Sequence, residues 1–104
     1  MDAQLKKGII DIVALATLKR EDSYGYQLVQ CINDIMPVSE STLYPVLRRL
    51  EAAELVTTYT KEHNTRLRKY YRITESGLKR LGDFLNDWEQ MQKIYQYVKG
   101  DLPS

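Results

Sequence analysis

The sequence has few residues of the kinds that form cross-links and metal sites. Its 104 residues include one cysteine, Cys31, and one histidine, His63. A single cysteine allows no disulfide and no cysteine-based metal site within one chain, and we expect neither a metal nor another cofactor. No apolar run approaches the roughly 20 residues that a membrane span needs, and no small-residue cleavage site follows the first apolar residues. These absences predict a cytoplasmic location with no membrane partner.

The features of catalytic sites are also missing. His63 stands alone in a predicted loop, and Cys31 has no obvious basic neighbour in the sequence. The chain has no glycine-rich phosphate-binding loop, and no residues of metal-ligand type occur at metal-site spacing. We therefore expect that the protein is not an enzyme and that Cys31 is core filler on a helix.

Positive charge is concentrated in one short stretch. The formal net charge is only +1. Residues 61–80, however, hold seven basic and two acidic side chains, against six and eight in residues 1–60 and two and four in residues 81–104. Binding to a polyanion requires a local basic patch rather than a high total charge. The near-neutral total therefore does not exclude nucleic acid.

Residues 39–54 predict an amphipathic helix with a basic outer face. One side carries apolar residues at the i, i+3, i+4, i+7 spacing of a core-facing stripe: Leu43, Val46, Leu47 and Leu50. The opposite side carries Ser41, Tyr44, Pro45 and Arg48, flanked by Thr42 and Arg49. Such a face, with no carboxylate before Glu51, is typical of a helix that lies against a polyanion. A plain solvated face is the alternative interpretation.

The start of this helix is open between two serines. Ser39 is a good N-cap, but Pro45 then falls several positions inside the helix, where it removes a hydrogen bond and should bend or weaken the helix. A cap at Ser41 would bring the proline closer to the first turn. Both starts agree with the sequence.

Two helices are predicted before this one. Residues 4–19 have apolar side chains around most of the helix circumference, so we expect burial nearly all round, part of it against a second subunit. Tyr24-Gly25-Tyr26 opens a second helix, which ends within residues 34–38, where Pro37 marks the boundary. Two helices joined by a short turn, the second with a polar and basic face, match the helix-turn-helix pattern.

After residue 54 the pattern changes to alternation, which predicts a β-hairpin. Its strands are expected at residues 55–60 and 66–73, joined by a five-residue tip, 61–65, in which Asn64 tolerates turn geometry. A helix-turn-helix followed by a hairpin is a winged helix. We therefore predict a mainly α fold with one β-hairpin, in which residues 1–73 are a winged helix-turn-helix DNA-binding domain.

A long last helix is predicted from a cap at Thr74 to about Gly100, with Pro103 beyond it. Its apolar residues are spaced 3, 4, 3, 4, 3, the period of a coiled-coil seam: Leu81, Phe84, Trp88, Met91, Tyr95 and Val98. So long a helix has little of its own chain to cover this seam. We expect residues 74–104 to form a dimerisation helix that packs with the first helix in a homodimer. Packing within one subunit is the alternative.

Three motifs, in order along the chain, resemble the PadR family of bacterial transcriptional regulators. They are Tyr24-Gly25-Tyr26, then Ser41-Thr42-Leu43-Tyr44-Pro45 with Leu47, Arg49, Leu50 and Glu51, then Arg68-Lys69-Tyr70-Tyr71-Arg72-Ile73-Thr74 with Gly77. The length resembles that of a short subfamily that includes multidrug-sensing repressors. The resemblance implies a homodimeric winged-helix DNA-binding protein, usually a repressor, that dimerises through its last and first helices. Two recognition helices in successive major grooves predict a palindromic operator in double-stranded DNA.

The resemblance also implies roles for particular residues. Thr42, Tyr44 and Arg48 or Arg49 would contact DNA from the recognition helix, and Arg66, Arg68 and Lys69 from the wing. Trp88 is similar in position to a tryptophan that, in drug-sensing members, stacks on flat aromatic compounds at the dimer centre. A seam tryptophan that only fills the core is the alternative.

One departure from the family pattern affects the wing. Residues 63–67 lack the glycines or prolines that often precede the basic run in the family, which leaves open which basic residue reaches the DNA groove.

Fold does not determine function. The alternative function is therefore a protein-interaction module that keeps the winged helix as a scaffold.

Overall fold

Four helices and three strands make up the fold. The structure, a computed structural model, describes residues 2–100. In chain order the elements are α1 (Ala3–Arg20), β1 (Ser23–Tyr24), α2 (Gly25–Asn33), α3 (Glu40–Ala52), β2 (Val56–His63), β3 (Arg66–Ile73) and α4 (Glu75–Lys99). This order confirms the predicted mainly α fold with a hairpin and a long last helix. Residue 1 and residues 101–104 lie outside the described residues. They include Pro103 and the outer ends of the two predicted ranges, 1–73 and 74–104.

Ser39 and Thr74 begin α3 and α4 as side-chain caps. The Oγ of Ser39 accepts a hydrogen bond from the N–H of Thr42 at 3.2 Å, and the Oγ1 of Thr74 accepts one from the N–H of Gly77 at 3.1 Å. Both bonds satisfy amides that have no acceptor within the helix. At its other end α4 closes on Gly100, whose φ of 101° lies in the left-handed region. The predicted start at Ser39 and the predicted bounds of α4 are confirmed.

Pro45 lies inside α3 without ending the helix. It has no N–H to donate to the carbonyl of Ser41, and its ring is exposed. The helix nevertheless runs unbroken to Ala52. The inner side of α3 is fully packed, and its buried residues are Leu43, Val46, Leu47 and Leu50. This packing holds the helix across the missing hydrogen bond.

One apolar core joins α1, α2, α3, the base of the hairpin and the start of α4. Its buried members are Ile10, Ile12, Ala14, Leu15, Leu18, Leu28, Val29, Ile32, Leu43, Val46, Leu47, Leu50, Val56, Tyr71 and Leu81. The expectation that the first helix is buried nearly all round is not met within the single chain, because burial on α1 begins only at Ile10 and residues 3–8 are exposed. The expectation that Cys31 is core filler is wrong, because Cys31 lies on the exposed side of α2. Among the described residues, no helix combines the length and the apolar character that a membrane crossing requires.

The strand β1 was not predicted from the sequence. β3 lies between β1 and β2 and pairs antiparallel with both. Ser23 lies opposite Tyr71, and Tyr24 lies opposite Tyr70. Two residues are too few to produce a detectable alternation, so the segment before α2 resembles a polar turn in the sequence.

The hairpin turn is shorter than predicted. β2 continues to His63, which pairs with Arg66, so the expected five-residue tip is wrong. Only Asn64 and Thr65 remain in the turn, with φ of 53° and 63°. Positive φ at both central residues is the signature of a type I′ turn, whose twist matches that of the flanking strands. The ladder therefore extends to the end of the wing.

Thr65→Gly is expected to raise the free energy of unfolding by about 0.5 kcal/mol, because a β-branched residue is strained at positive φ and glycine is not. Asn-Gly is also the preferred pair for this turn. The matched control is Thr60→Gly, in the middle of β2, which should lower the free energy of unfolding by about 1 kcal/mol. Urea titrations followed by circular dichroism measure both. A destabilised Thr65→Gly variant would rule out the type I′ turn.

Candidate nucleic-acid interface

The exposed face of α3 carries hydroxyl groups at its start and guanidinium groups further along. Ser41, Thr42, Pro45, Arg48 and Arg49 are all exposed. At the N-terminal end, the Oγ of Ser39 lies 3.0 Å from the Oγ of Ser41 and 3.0 Å from the Oγ1 of Thr42. This face combines neutral donors and acceptors with cations, the groups that proteins use for base edges and phosphates.

Tyr44 lies at the edge of this face and not at its centre. Its side chain is half-buried, and its ring rests on Gly25 at the start of α2. A Cβ at position 25 would lie 2.6 Å from both Cε1 and the hydroxyl of Tyr44. Glycine at position 25 is therefore what allows the ring to sit in the crease between α2 and α3.

The structure distinguishes the two arginines of α3. Arg49 donates a hydrogen bond to the carboxylate of Asp11 on α1, so its charge is paired with the body of the domain. Arg48 makes no ion pair or side-chain hydrogen bond with any other residue of the described chain, 2–100. Arg48 is therefore the arginine of α3 whose charge is available to a ligand.

Lys69 and its neighbours connect the wing to α3. The Nζ of Lys69 lies 3.5 Å from the Oε1 of Glu51, and the hydroxyl of Thr58 donates to Oε2 of the same carboxylate at 3.2 Å. Beneath them Tyr71 is buried, and burial raises the pKa of its hydroxyl. These contacts set the angle between the wing and the helix.

The other face of the wing carries three tyrosines side by side, here called the aromatic row: Tyr24 on β1, Tyr70 on β3 and Tyr59 on β2. The rings of Tyr59 and Tyr70 stack with centroids 5.5 Å apart, and Tyr24 meets Tyr70 edge-on, also at 5.5 Å. Tyr70, in the middle, is buried. Stacking of this kind adds about 0.5–1.5 kcal/mol per pair beyond area burial.

Basic side chains lie over the aromatic row. The guanidinium carbon of Arg68 is 4.4 Å from the ring centre of Tyr24, and that of Arg72 is 4.9 Å from the ring centre of Tyr59. Lys61 lies 5.5 Å from the ring centre of Tyr70. The wing therefore holds these three cations on aromatic surfaces.

Asp22 fixes one end of this row. Its Oδ2 accepts hydrogen bonds from the hydroxyl of Tyr59 at 2.6 Å and from the Nε of Arg72 at 3.0 Å. The hydrogen bond to Asp22 raises the pKa of the Tyr59 hydroxyl, and the same carboxylate raises the pKa of Arg72. The charge of Arg72 is therefore balanced within the chain.

The basic residues predicted in the wing thus have three different environments. Arg66 is exposed beside the turn, Arg68 is half-buried on Tyr24, and Lys69 is paired with Glu51 on the opposite face. Sequence reasoning missed Tyr24 and Asp22 as parts of this surface. Their position just before α2 is the one indication in the sequence, and it does not predict a contact with the wing. The pairing of β1 with β3 brings them to this surface.

The seam predicted on α4 divides into two parts. Leu81 is buried in the core of its own chain, and Phe84 packs against that core and stacks on Trp88 with ring centroids 6.2 Å apart. From Trp88 onward the seam is exposed, from 51% at Trp88 to 75% at Val98. An open groove of about 610 Å³ lies along it, lined by Trp88, Met91, Gln92, Tyr95 and Gln96.

Comparison with known proteins assigns the chain to a family. The model of the "Transcriptional regulator PadR-like family" matches residues 14–83. The crystal structure of smu.1704 from Streptococcus mutans has 42% sequence identity and a TM-score of 0.80, with 91% of each chain covered. A PadR-like transcriptional regulator from Bacillus cereus has 30% identity and a TM-score of 0.82 over 94% of this chain and 98% of that one. A Lysinibacillus sphaericus protein is 33% identical over 93 residues, 85% of each chain. The chain therefore belongs to the PadR-like family of transcriptional regulators.

Proposed function

We propose that this PadR-like regulator is a homodimeric repressor that binds a palindromic site in double-stranded DNA, with α3 in the major groove and the wing against the DNA backbone. The observation that carries this proposal is the state of Arg48, exposed and without an ion pair in the described chain, on the same face as the hydroxyl groups of α3. An unpaired guanidinium can bind the O6 and N7 of a guanine with two hydrogen bonds.

The shape of α4 supports the dimer. The radius of gyration is 16.0 Å, against about 13 Å for a compact domain of this length. The difference reflects the end of α4, where residues 85–100 are exposed. A partner helix would cover the apolar seam, and the exposed first half of α1 would lie in the same interface. In the proposed dimer, residues 1–73 would bind DNA and residues 74–104 would form the dimer contact. The proposed location is the cytoplasm.

The groove at Trp88 supports release of the repressor by a planar hydrophobic ligand. Its lining is mainly apolar and aromatic. In a two-fold seam the two copies of Trp88 would face each other. Two indole rings can hold a flat aromatic molecule between them. Ligand binding at the dimer centre would then alter the separation of the two recognition helices.

The exposed apolar seam also favours one alternative, a protein-interaction module without DNA binding. In that case a partner helix would occupy the seam at Trp88 and Tyr95. The two functions differ in their dependence on salt, because only DNA binding releases counterions from phosphates.

The test is fluorescence anisotropy with a duplex from the region upstream of the gene and a scrambled duplex of equal length. Log affinity is expected to fall linearly with log salt, by about 0.9 for each neutralised phosphate. Arg48→Ala should reduce the preference for the specific duplex by about tenfold or more, whereas Lys93→Ala, on the outer side of α4, should leave it unchanged. The absence of DNA binding even at low salt would reject the proposed function and favour the interaction module.

A further inference from the structure

A small groove opens between α2 and the wing, beside the recognition helix. It has a volume of about 210 Å³, and its lining includes Tyr24, Tyr26, Tyr44, Arg68 and Lys69. The lining residues include two cations and four tyrosines but no acidic residue. Donors and cations without a carboxylate suit an anion with several acceptor oxygens.

Arg68 is the cation in this groove whose charge has no carboxylate partner among the described residues. Lys69 is paired with Glu51, and Arg72, further along β3, is paired with Asp22. Arg68 has no carboxylate partner within residues 2–100, and its guanidinium lies on the face of Tyr24. An aromatic ring orients a guanidinium and leaves its edge free to donate hydrogen bonds.

The Nε of Arg68 gives independent support for a missing acceptor. It is the buried side-chain donor in the described chain that has no hydrogen-bond partner. Buried donors normally have a partner, and an unsatisfied one costs free energy. Nε is covered by protein atoms, so a phosphate oxygen would satisfy it after a small shift of the Arg68 side chain.

We infer that the groove between α2 and the wing binds a phosphate of the DNA backbone, and that Tyr24 is a positioning residue that holds the Arg68 guanidinium for this contact. The inference rests on the DNA binding proposed above. The groove is bounded by the wing and by Tyr44 of α3, the two elements that approach DNA in the proposed function, so the DNA backbone would pass it when α3 enters the major groove. Arg68 already stacks on Tyr24 in the free protein. Its side chain therefore loses conformational entropy on folding and not on DNA binding.

The experiment measures affinity for a random-sequence duplex at several salt concentrations, since a phosphate contact does not depend on base sequence. Arg68→Ala should weaken binding and reduce the magnitude of the salt slope by about 0.9 per lost contact. Tyr24→Leu should weaken binding by about threefold to tenfold, in the range of a cation–π contact. Tyr24→Phe, which keeps the ring, should bind like the wild type.

A double-mutant cycle separates positioning from general stability. In the Arg68→Ala background, Tyr24→Leu should have no further effect on DNA affinity. Tyr59→Leu is the control, because it removes another ring of the aromatic row whose cation, Arg72, is already paired with Asp22. It should lower stability but leave affinity within about twofold, the error of such cycles being a few tenths of a kcal/mol.

Three outcomes of the duplex measurements would overturn the inference while DNA binding itself stands. They are wild-type affinity of Tyr24→Leu, a Tyr24→Leu effect that persists without Arg68, and equal weakening by Tyr59→Leu. Tight binding of inorganic phosphate that requires Arg68, with no effect of Tyr24→Leu on DNA, would assign the groove to a free anion and would also overturn it. If the wild type binds no duplex at low salt, the failure is that of the proposed function.

Discussion

Gly77→Ala is expected to lower the free energy of unfolding by about 2 kcal/mol, because no side chain fits at this position. A Cβ there would clash with the carbonyl oxygen of Leu55 and would lie 2.6 Å from the Cγ1 of Ile73, closer than van der Waals contact allows. The carbonyl cannot move away, since it accepts a hydrogen bond from the N–H of Thr74 at 3.1 Å. Thr74 is held in turn by the bond from its hydroxyl to the carbonyl of Glu54 at 2.8 Å. The substitution therefore disturbs the point where α3, β2 and α4 meet.

The matched control is Gly82→Ala, on the same helix, where a Cβ has nothing within 4 Å. Alanine there should raise the free energy of unfolding by about 0.5–1 kcal/mol, through the ordinary gain in helix propensity. Urea titrations of the two variants at one protein concentration measure both changes in the free energy of unfolding. The concentration is held constant because the stability of the proposed dimer would depend on it. Equal stabilisation by the two alanines would mean that the junction at Gly77 is looser than described.

Local structure was predictable from the sequence because local chemistry determines it. Ser39 and Thr74 cap the helices that follow them, and the apolar stripe of α3 is buried as its spacing indicates. The wing was predicted for the same reason, since alternation over a whole strand is a strong signal. The position of the two-residue turn was not predicted, because His63 and its neighbours have no strong preference for strand or turn.

Contacts between distant residues could not be predicted. Arg49 and Asp11 are 38 positions apart, and a helical wheel places Arg49 beside Arg48 without indicating that α1 offers a carboxylate. Asp22 reaches Tyr59 and Arg72 only because β1 joins the sheet. These pairings determine which cations keep an available charge. The surface that carries the candidate site could therefore be predicted from the sequence. Which of its cations are paired with carboxylates of the same chain could be seen only in the fold.

Met91→Glu is expected to raise the dissociation constant of the proposed dimer by at least about a hundredfold, equivalent to about 3 kcal/mol. Met91 is 53% exposed in the single chain and lines the groove at the middle of the seam. A two-fold interface contains the substitution twice, so two carboxylates would be buried close together without cations. Affinity for a palindromic duplex should fall as well, because the two DNA-binding domains would no longer be linked.

The control for this variant is Gln90→Glu, which adds the same charge one position away. In the heptad that contains Trp88 and Met91, residue 90 lies on the outer side of α4, where a carboxylate stays in water. Light scattering after size exclusion should give twice 12.2 kDa for the wild type and Gln90→Glu, and the monomer mass for Met91→Glu at micromolar concentration. The measurement also decides which surface makes the dimer. A Met91→Glu protein that keeps the double mass would move the interface away from the end of α4, to the exposed first half of α1, and would leave the groove at Trp88 open to solvent.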